Sequence, residues 1–260
     1  MIYQSKFTDL IVSGCSFTHN NHESHCTWGN TLAYWANMNI TNLAVPGAGN
    51  AHIKNSIILH LEKHKPPTDS TLVIVIWSGP ERIDWITDKH SSNFSNQHPF
   101  SYQYTDTNEL VLSGSWWAKK IKTHLNKTLV DYSKYQSNSS LALQSWIYMQ
   151  DLENYLKAHN YQYYFTSWFG YNGPVDQTNR WIDYDYELQK LGLERNQTHW
   201  LINQPENCLG NWSLVHPEFL WDDNFHVTWQ GHEAWLTEIL IPELIKKNVL
   251  DVITELKGPQ

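Results

Sequence analysis

Residues 9–18 read D-L-I-V-S-G-C-S-F-T, and the rest of the chain is organised around this stretch. The apolar run at 10–12 stops just before Gly14, a pattern typical of a buried strand that ends in a sharp turn. Ser16 follows two residues later. Because the ligands of open α/β sheets bind at the carboxyl ends of the strands, Ser16 is a candidate nucleophile. An isolated serine hydroxyl attacks poorly, so it would need a base.

A candidate base lies near the other end of the chain, where residues 221–226 read W-D-D-N-F-H. Asp223 and His226 are three residues apart, which is close enough for the carboxylate to orient the imidazole. Acyl transfer needs a nucleophile, a base that takes its proton and a group that orients the base. These residue types predict a catalytic set of Ser16, His226 and Asp223, with Asp222 left open as the orienting carboxylate.

These two segments resemble motifs of the SGNH/GDSL hydrolases, which are esterases with a flavodoxin-like fold. Residues 14–18, G-C-S-F-T, look like the first block of that family, Gly-Asp-Ser-x-Thr/Ser, with Cys15 where aspartate is usual. Residues 223–226 match its last block, Asp-x-x-His. The thiol of Cys15 is a stronger nucleophile than a hydroxyl. However, neighbouring residues on an extended strand end point to opposite sides, so we expect Cys15 to pack beneath the turn.

The resemblance also covers the middle of the chain. Residues 42–50, N-L-A-V-P-G-A-G-N, are similar to the second block. The glycine of that block, here Gly47, lends a backbone N–H to the oxyanion hole, together with the N–H of Ser16. The third block of the family is Gly-x-Asn-Asp. Residues 77–82, W-S-G-P-E-R, occupy its place, with Pro80 where the oxyanion-binding asparagine would fall.

Pro80 has no side-chain donor and no backbone N–H, so another group must replace the asparagine if the site is fully active. The nearby candidates for oxyanion or substrate contacts are Ser78, Asn50 and Arg82. A guanidinium offers a charged fork of donors that suits either an oxyanion or an acidic substrate. The alternative for Arg82 is an ion pair with Glu81 or Asp84 at the surface.

Periodicity predicts an α/β fold. Residues 72–77 are apolar throughout, as expected of a central parallel strand that is covered on both faces. Strands that alternate with helices imply βαβ units. We therefore expect one domain over 1–260, a flavodoxin-like three-layer α/β/α sandwich with a mainly parallel sheet of about five strands. Further strands are predicted at 40–44 and 161–168, helices at 27–38, 50–63 and 141–159, and a closing helix at 229–249 that is interrupted near Pro242. A hairpin is predicted at 102–112, and aromatic-rich loop insertions at about 83–137 and 170–217.

Composition limits the partners. A formal net charge of −8 over 260 residues argues against nucleic acid or an anionic membrane surface. No apolar run is long enough to span a bilayer. The early first strand leaves no room for a signal peptide. In this the chain resembles SGNH-like proteins of bacteriophages, which implies the cytoplasm of the producing cell or a phage particle. The sequence predicts no oligomeric state.

The function that we expect is hydrolysis of a carboxylic ester by a serine triad, without a cofactor or metal. The 14 Trp and 14 Tyr residues offer stacking platforms, so an O-acetyl group on a carbohydrate, or another small ester, is the expected substrate. One alternative is a catalytically degenerate glycan-binding or structural module, which the changes at Cys15 and Pro80 favour. A second is a metal-dependent hydrolase that uses His19, His22 and His25 of the segment H-N-N-H-E-S-H-C.

Overall fold

The computed structural model describes residues 3–19, 27–80, 82–88, 101–103, 108–113, 135–168, 184–194, 198–221 and 226–253. Strands and helices alternate through much of this part of the chain. In chain order they are β1 (Tyr3–Ser5), β2 (Asp9–Ser13), α1 (Trp28–Trp35), β3 (Asn39–Asn42), α2 (Asn50–His64), β4 (Thr71–Trp77), β5 (Ile83–Asp88), β6 (Ser101–Gln103), β7 (Asn108–Ser113), α3 (Asn138–Ala158), β8 (Gln162–Ser167), α4 (Tyr184–Lys190), α5 (Leu209–Leu214), α6 (Trp229–Trp235), α7 (Ile241–Lys246) and β9 (Leu250–Val252).

The main sheet is parallel and has the strand order β3-β2-β4-β8. All seven residues of β4 are buried, as expected of its central place. Within the described residues the sheet holds four strands, where about five were predicted. A fifth position is represented by an isolated parallel bridge between Phe165 and Trp200. There the N–H of Phe165 donates to the carbonyl of His199, and the N–H of Leu201 donates to the carbonyl of Phe165, both at 2.9 Å.

Helices cover both faces of this sheet. The connection β2-α1-β3 leads to one edge, whereas β3-α2-β4 leads back across β2. Right-handed crossovers in opposite directions place their helices on opposite faces. Helix α1 contacts α6, and α2 contacts α3, which completes the two outer layers. The predicted three-layer α/β/α architecture is therefore confirmed. Part of the aromatic content lies in the core, where Trp28 and Trp235 meet edge to face at 6.3 Å.

A second, antiparallel sheet of order β5-β7-β6 lies outside the main sheet. It confirms the hairpin predicted at 102–112, because β6 and β7 pair in that region. Strand β5 was not predicted, and it follows the loop at the carboxyl end of β4. This order of elements brings the start of β5 close to the amino end of α2.

The closing segment is helical and is interrupted near Pro242, as predicted for 229–249. Helix α6 passes into a π-helical stretch, Leu236–Leu240, before α7 begins. Pro242 lies in the first turn of α7, where its missing N–H is tolerated. The chain then forms β9, which pairs with β1 in an antiparallel ribbon too short for a periodicity signal. Among the residues that the structure describes, no helix has both the length and the apolar character needed to cross a membrane.

Candidate active site

Ser16 lies in a tight turn that follows β2 at the carboxyl end of the parallel sheet. The carbonyl of Cys15 accepts hydrogen bonds from the N–H groups of Thr18 (2.9 Å) and His19 (3.0 Å). Ser16 is partly exposed, whereas Cys15 is fully buried. The turn therefore presents the hydroxyl and keeps the thiol beneath it, as the alternation along the strand end predicts.

Gly14 makes this turn sterically feasible. A Cβ atom at this position would overlap the side chain of Thr18 and would lie 3.0 Å from the carbonyl oxygen of Ile76 in β4. The Thr18 side chain is buried, and its hydroxyl accepts a hydrogen bond from the indole N–H of Trp28 at 3.4 Å. The glycine and threonine of the first block therefore pack against each other and fix the turn that carries Ser16.

His226 faces Ser16 across the site. The distance between His226 Nε2 and Ser16 Oγ is 3.0 Å, within hydrogen-bonding range. The loop that precedes His226 is closed by an antiparallel bridge between Leu220 and Val227. In addition, the N–H of Trp221 donates to the carbonyl of His226 at 2.9 Å. The sequence prediction thus named two side chains that the fold brings together.

Two candidates for the orienting carboxylate precede His226 in sequence. Asp223, and Asp222 as its alternative, lie outside the described residues. Asp223 therefore stays a prediction, made from its spacing to His226.

Aromatic and imidazole rings surround His226. Phe17, next to the candidate nucleophile Ser16, lies 5.5 Å from the His226 ring and stacks on Trp168 at 4.6 Å. Behind it, His232 of α6 is buried. Burial, followed by the proximity of His226, lowers the pKa of His232 to about 3. His232 is therefore neutral over the working range of a histidine base and adds no competing positive charge.

The loop at 45–48 carries Gly47, the candidate for the second oxyanion donor. Pro46 and Gly47 occupy the centre of a turn in which Ala48 N–H donates to the carbonyl of Val45 at 3.0 Å. Gly47 has φ = 83°, which matches the third residue of a type II turn and favours glycine. Within the described part of the chain, the backbone N–H groups of Gly47 and Ser16 donate to no protein acceptor. Both are available for an oxyanion.

Side chains tie this loop to the Ser16 turn. The amide of Asn42 donates to the carbonyl of Thr18 at 2.7 Å and accepts from the N–H of Ala44 at 3.0 Å. The Nδ1 atom of His19 lies 2.8 Å from the carbonyl oxygen of Ala44. Asn42 was missed as a site residue, although it is the first residue of the second block. Its bonds fix the distance between the two candidate oxyanion donors.

Asn50 has a structural role in this geometry. Its side-chain amide donates to the carbonyl of Ser78 (3.1 Å) and to the hydroxyl of Ser145 (3.0 Å), while its oxygen accepts from the N–H of Ser78 (2.8 Å). Both amide hydrogens are therefore used inside the protein. The Ser78 hydroxyl is buried and makes no hydrogen bond within the described residues. Neither side chain is aimed at an open oxyanion position.

Arg82 and Asp84 lie on the other side of the Gly47 turn. The Nη1 atom of Arg82 donates to the carbonyl of Ala48 at 3.3 Å, and its guanidinium lies 5.6 Å above the ring of Trp168. The carboxylate of Asp84 accepts the N–H groups of Gly49 (2.7 Å) and His52 (2.8 Å). Sequence reasoning treated Asp84 only as a surface partner of Arg82, because a contact with a helix thirty residues away leaves no local signal.

The histidine-rich segment is only partly visible. His19 lies beside Ala44, whereas His22, His25 and Cys26 lie outside the described residues. Among the residues that are described, no group of three or more His, Cys, Asp or Glu side chains is arranged to hold a metal ion.

No protein-family model and no curated protein matches this chain. Solved structures do resemble it. The psychrotrophic esterase EstA from Pseudoalteromonas sp. superimposes with a TM-score of 0.50 at 10% identity, over 93% of this chain and 98% of EstA. A G-D-S-L family lipolytic protein from Veillonella parvula gives 0.48 at 7% identity, over 92% and 96% of the two chains. A variant of Axe2, an acetyl-xylooligosaccharide esterase from Geobacillus, gives 0.49 at 11%, over 94% and 96%.

Identities this low carry information on fold alone. The similarity to EstA extends over nearly all of both proteins. It therefore includes the part of this chain that forms the parallel sheet and the flanking helices described above. The chain therefore has the fold of the SGNH/GDSL hydrolases.

Proposed function

We propose that this protein hydrolyses carboxylic esters with Ser16 as the nucleophile and His226 as the general base. The observation that carries the proposal is the 3.0 Å distance between His226 Nε2 and Ser16 Oγ at the carboxyl end of a parallel sheet. A serine and a histidine in hydrogen-bonding contact, with backbone donors nearby, form the arrangement that acyl transfer requires. Asp223 is the proposed orienting carboxylate, from its position three residues before His226.

In the proposed reaction, Ser16 Oγ attacks the ester carbonyl carbon while His226 Nε2 takes the hydroxyl proton. The resulting oxyanion is bound by the N–H groups of Ser16 and Gly47. The tetrahedral intermediate collapses, the C–O bond to the alcohol breaks, and the imidazolium returns its proton to the leaving oxygen. Water then repeats the sequence on the acyl-serine and releases the acid. The proposed chemistry uses no metal and no cofactor.

The proposed substrate is a small acyl ester, such as an O-acetyl group on a carbohydrate. Two exposed indoles, Trp221 and Trp229, flank His226 in sequence and offer flat apolar surface for a sugar ring. The Trp221 indole N–H donates to the carbonyl of Val227 at 3.2 Å, which restrains its ring. We propose the cytoplasm of the producing cell or a phage particle as the place of action, with no nucleic-acid or membrane partner.

A fluorophosphonate probe tests the proposal, because it forms a covalent bond only with an activated serine. Wild-type protein should be labelled with one probe per chain, on the peptide that contains Ser16. Labelling should persist after prolonged EDTA treatment and disappear in Ser16→Ala. Failure to label folded wild-type protein would overturn the proposal. Loss of ester hydrolysis on chelation, with recovery on adding zinc, would instead favour a metal-dependent hydrolase.

The second candidate function is a glycan-binding or structural module with a degenerate site. The commitment of both Asn50 amide hydrogens to Ser78 and Ser145 favours it, because Asn50 then cannot replace the family's third-block asparagine. Losing one oxyanion donor costs roughly 10²–10³ in turnover. A binding module would retain carbohydrate affinity in Ser16→Ala and would show no probe labelling in the wild type.

A further inference from the structure

The amino end of α2 lacks a side-chain cap of its own. Its N-cap residue is Gly49, which has no side chain to accept the N–H groups of the first helical turn. Asp84, from β5 of the second sheet, takes that role across space. Its two carboxylate oxygens accept the N–H of Gly49 at 2.7 Å and of His52 at 2.8 Å. A carboxylate at this end of a helix also interacts favourably with the helix dipole.

The fit between Asp84 and the helix is close. A Cβ atom on Gly49 would lie 2.7 Å from Asp84 Oδ2 and 3.0 Å from the carbonyl oxygen of Arg82. Only glycine leaves room for the carboxylate at this position. The N-cap residue therefore lacks a side chain where the carboxylate of Asp84 needs the space, and Asp84 caps the helix in its place.

Arg82 completes this arrangement on the catalytic side. Its guanidinium donates to the carbonyl of Ala48 at 3.3 Å and lies over the Trp168 ring. Trp168 stacks on Phe17, the residue after the candidate nucleophile. The residue pair Arg82 and Asp84 thus binds the backbone at Ala48 and Gly49, the two positions that follow Gly47.

We propose that Arg82 and Asp84 are positioning residues that hold the N–H of Gly47 in its oxyanion-binding orientation. The inference rests on the proposed ester hydrolysis and goes beyond it by assigning a role to Arg82, which directly precedes β5, and to Asp84 within β5. In this chain the segment after β4 would contribute by fixing the glycine donor, since Pro80 supplies none. A misplacement of about 1 Å at such a donor costs roughly 10²-fold in rate, so rigidity here has catalytic value.

Opposing influences act on the pKa of the Asp84 carboxyl group, so its protonation state is sensitive to its surroundings. Burial raises the pKa of its carboxyl to about 6, against the opposing effects of the N–H groups of His52, Gly49 and Ala51 and of the Arg82 charge. The charge that acts on it is that of Arg82, which directly precedes β5, whereas His52 of α2, whose side chain is buried, contributes its backbone N–H. Burial also lowers the pKa of His52 to about 4, so this histidine is neutral while Asp84 titrates.

The test compares Asp84→Asn with a matched cap variant. Asparagine keeps the shape but offers one acceptor oxygen instead of two, so the backbone at Gly49 loosens. The control is Ser137→Ala, which removes the side-chain cap of α3, a hydrogen bond from the N–H of Ser140 at 3.1 Å. Both variants lose a helix cap, but only the first touches the Gly47 turn. We expect kcat for p-nitrophenyl acetate to fall about tenfold or more in Asp84→Asn, with KM nearly unchanged, and to stay at the wild-type value in Ser137→Ala.

A second readout does not depend on catalysis. Labelling with ¹⁵N-glycine gives at most 12 backbone resonances, one for each glycine in the chain. In the wild type, the chemical shift of the Gly49 amide should change with pH, with a midpoint near the Asp84 pKa of about 6. In Asp84→Asn that titration should vanish, and the Gly47 resonance should move. If the Gly47 resonance and kcat both match the wild type, the positioning role is overturned.

The two proposals fail in different ways. If wild-type protein neither hydrolyses esters nor reacts with a fluorophosphonate, the proposed function falls. The displacement of the Gly47 resonance in Asp84→Asn then decides whether Asp84 orders this turn. An equal loss of kcat in Ser137→Ala would also overturn the inference, because general destabilisation would explain the effect.

Discussion

His226 Nε2 lies 3.0 Å from Ser16 Oγ, although 210 residues separate the two in sequence. The fold closes this distance by placing Ser16 after β2 and His226 in the loop before α6, two elements on the same side of the molecule as the Gly47 turn. The Gly47 turn is tied to the Ser16 turn by a hydrogen bond from Val45 N–H to the carbonyl of Gly14 at 3.3 Å. The proposed nucleophile, the proposed base and two candidate backbone donors are therefore brought together by a few short loops.

Substituting Asp223 and Asp222 one at a time identifies the carboxylate that orients His226. Asp223→Asn should lower turnover on the order of 10⁴-fold, by analogy with other triads, because the imidazole then adopts the wrong tautomer. Asp222→Asn should cost much less and serves as the matched control. Steady-state hydrolysis of p-nitrophenyl acetate by the two variants gives the ranking. The reverse ranking would place the orienting role on Asp222.

Arg82→Ala should lower ester hydrolysis more than tenfold, because the carbonyl of Ala48 loses its guanidinium partner beside Gly47.

Pro80→Asn should not raise the rate of ester hydrolysis. The loop that would have to accommodate this asparagine is held by hydrogen bonds between Asn50 and Ser78. Turnover measured at saturating substrate checks both variants. A strong gain from Pro80→Asn would mean that the oxyanion site is unfilled, and would favour a binding module descended from an esterase.

Stability should fall as the pH drops below about 6.5. Burial lowers the pKa of His52 to about 4, and burial together with His226 lowers that of His232 to about 3. The unfolded chain binds protons at both histidines from about pH 6.5 downwards, whereas the folded chain does not, so the free energy of unfolding decreases with falling pH. Each histidine contributes a slope of at most about 1.4 kcal/mol per pH unit.

Urea unfolding between pH 7 and pH 4.5 measures this slope. His232→Gln should reduce it, whatever the absolute stability of the variant. Asp84 changes the free energy of unfolding in the opposite sense. Burial raises the pKa of its carboxyl group to about 6, so the stability that its protonated form contributes is lost as the pH rises through that value. Identical slopes in wild type and His232→Gln would contradict the assignment of His232 as a buried neutral group.

Gly14→Ala should destabilise the protein strongly, by about 2 kcal/mol or more, because the added methyl group meets backbone and a buried side chain rather than open space. Gly29→Ala is the matched control: its Cβ would meet only side-chain atoms of Val12 and Ile40, at 3.3 Å and beyond. It should cost clearly less. Thermal unfolding followed by circular dichroism compares the two, and equal losses would show that the first-block glycine has no special steric role.

Local patterns predicted the parallel sheet, because a continuously apolar run such as β4 has few alternatives to a buried strand. Ser16 and His226 could also be predicted, because each lies in a short motif whose spacing is visible in the sequence. The role of Asp84 could not be predicted, because its hydrogen bonds join β5 to α2 across the fold. The amide of Asn50 likewise appeared available in sequence, whereas packing between β4 and α3 engages it.

The central claim is that Ser16 and His226 act as one catalytic unit. It is tested most directly by hydrolysis of p-nitrophenyl acetate by wild type, Ser16→Ala, His226→Ala and the double variant, each shown to be folded. We predict that either single change abolishes turnover, that the double variant is no worse, and that wild-type activity falls on the acid side, as expected of general-base catalysis. Equal rates in wild type and Ser16→Ala, or a rate that stays flat from about pH 5 to 9, would contradict the account.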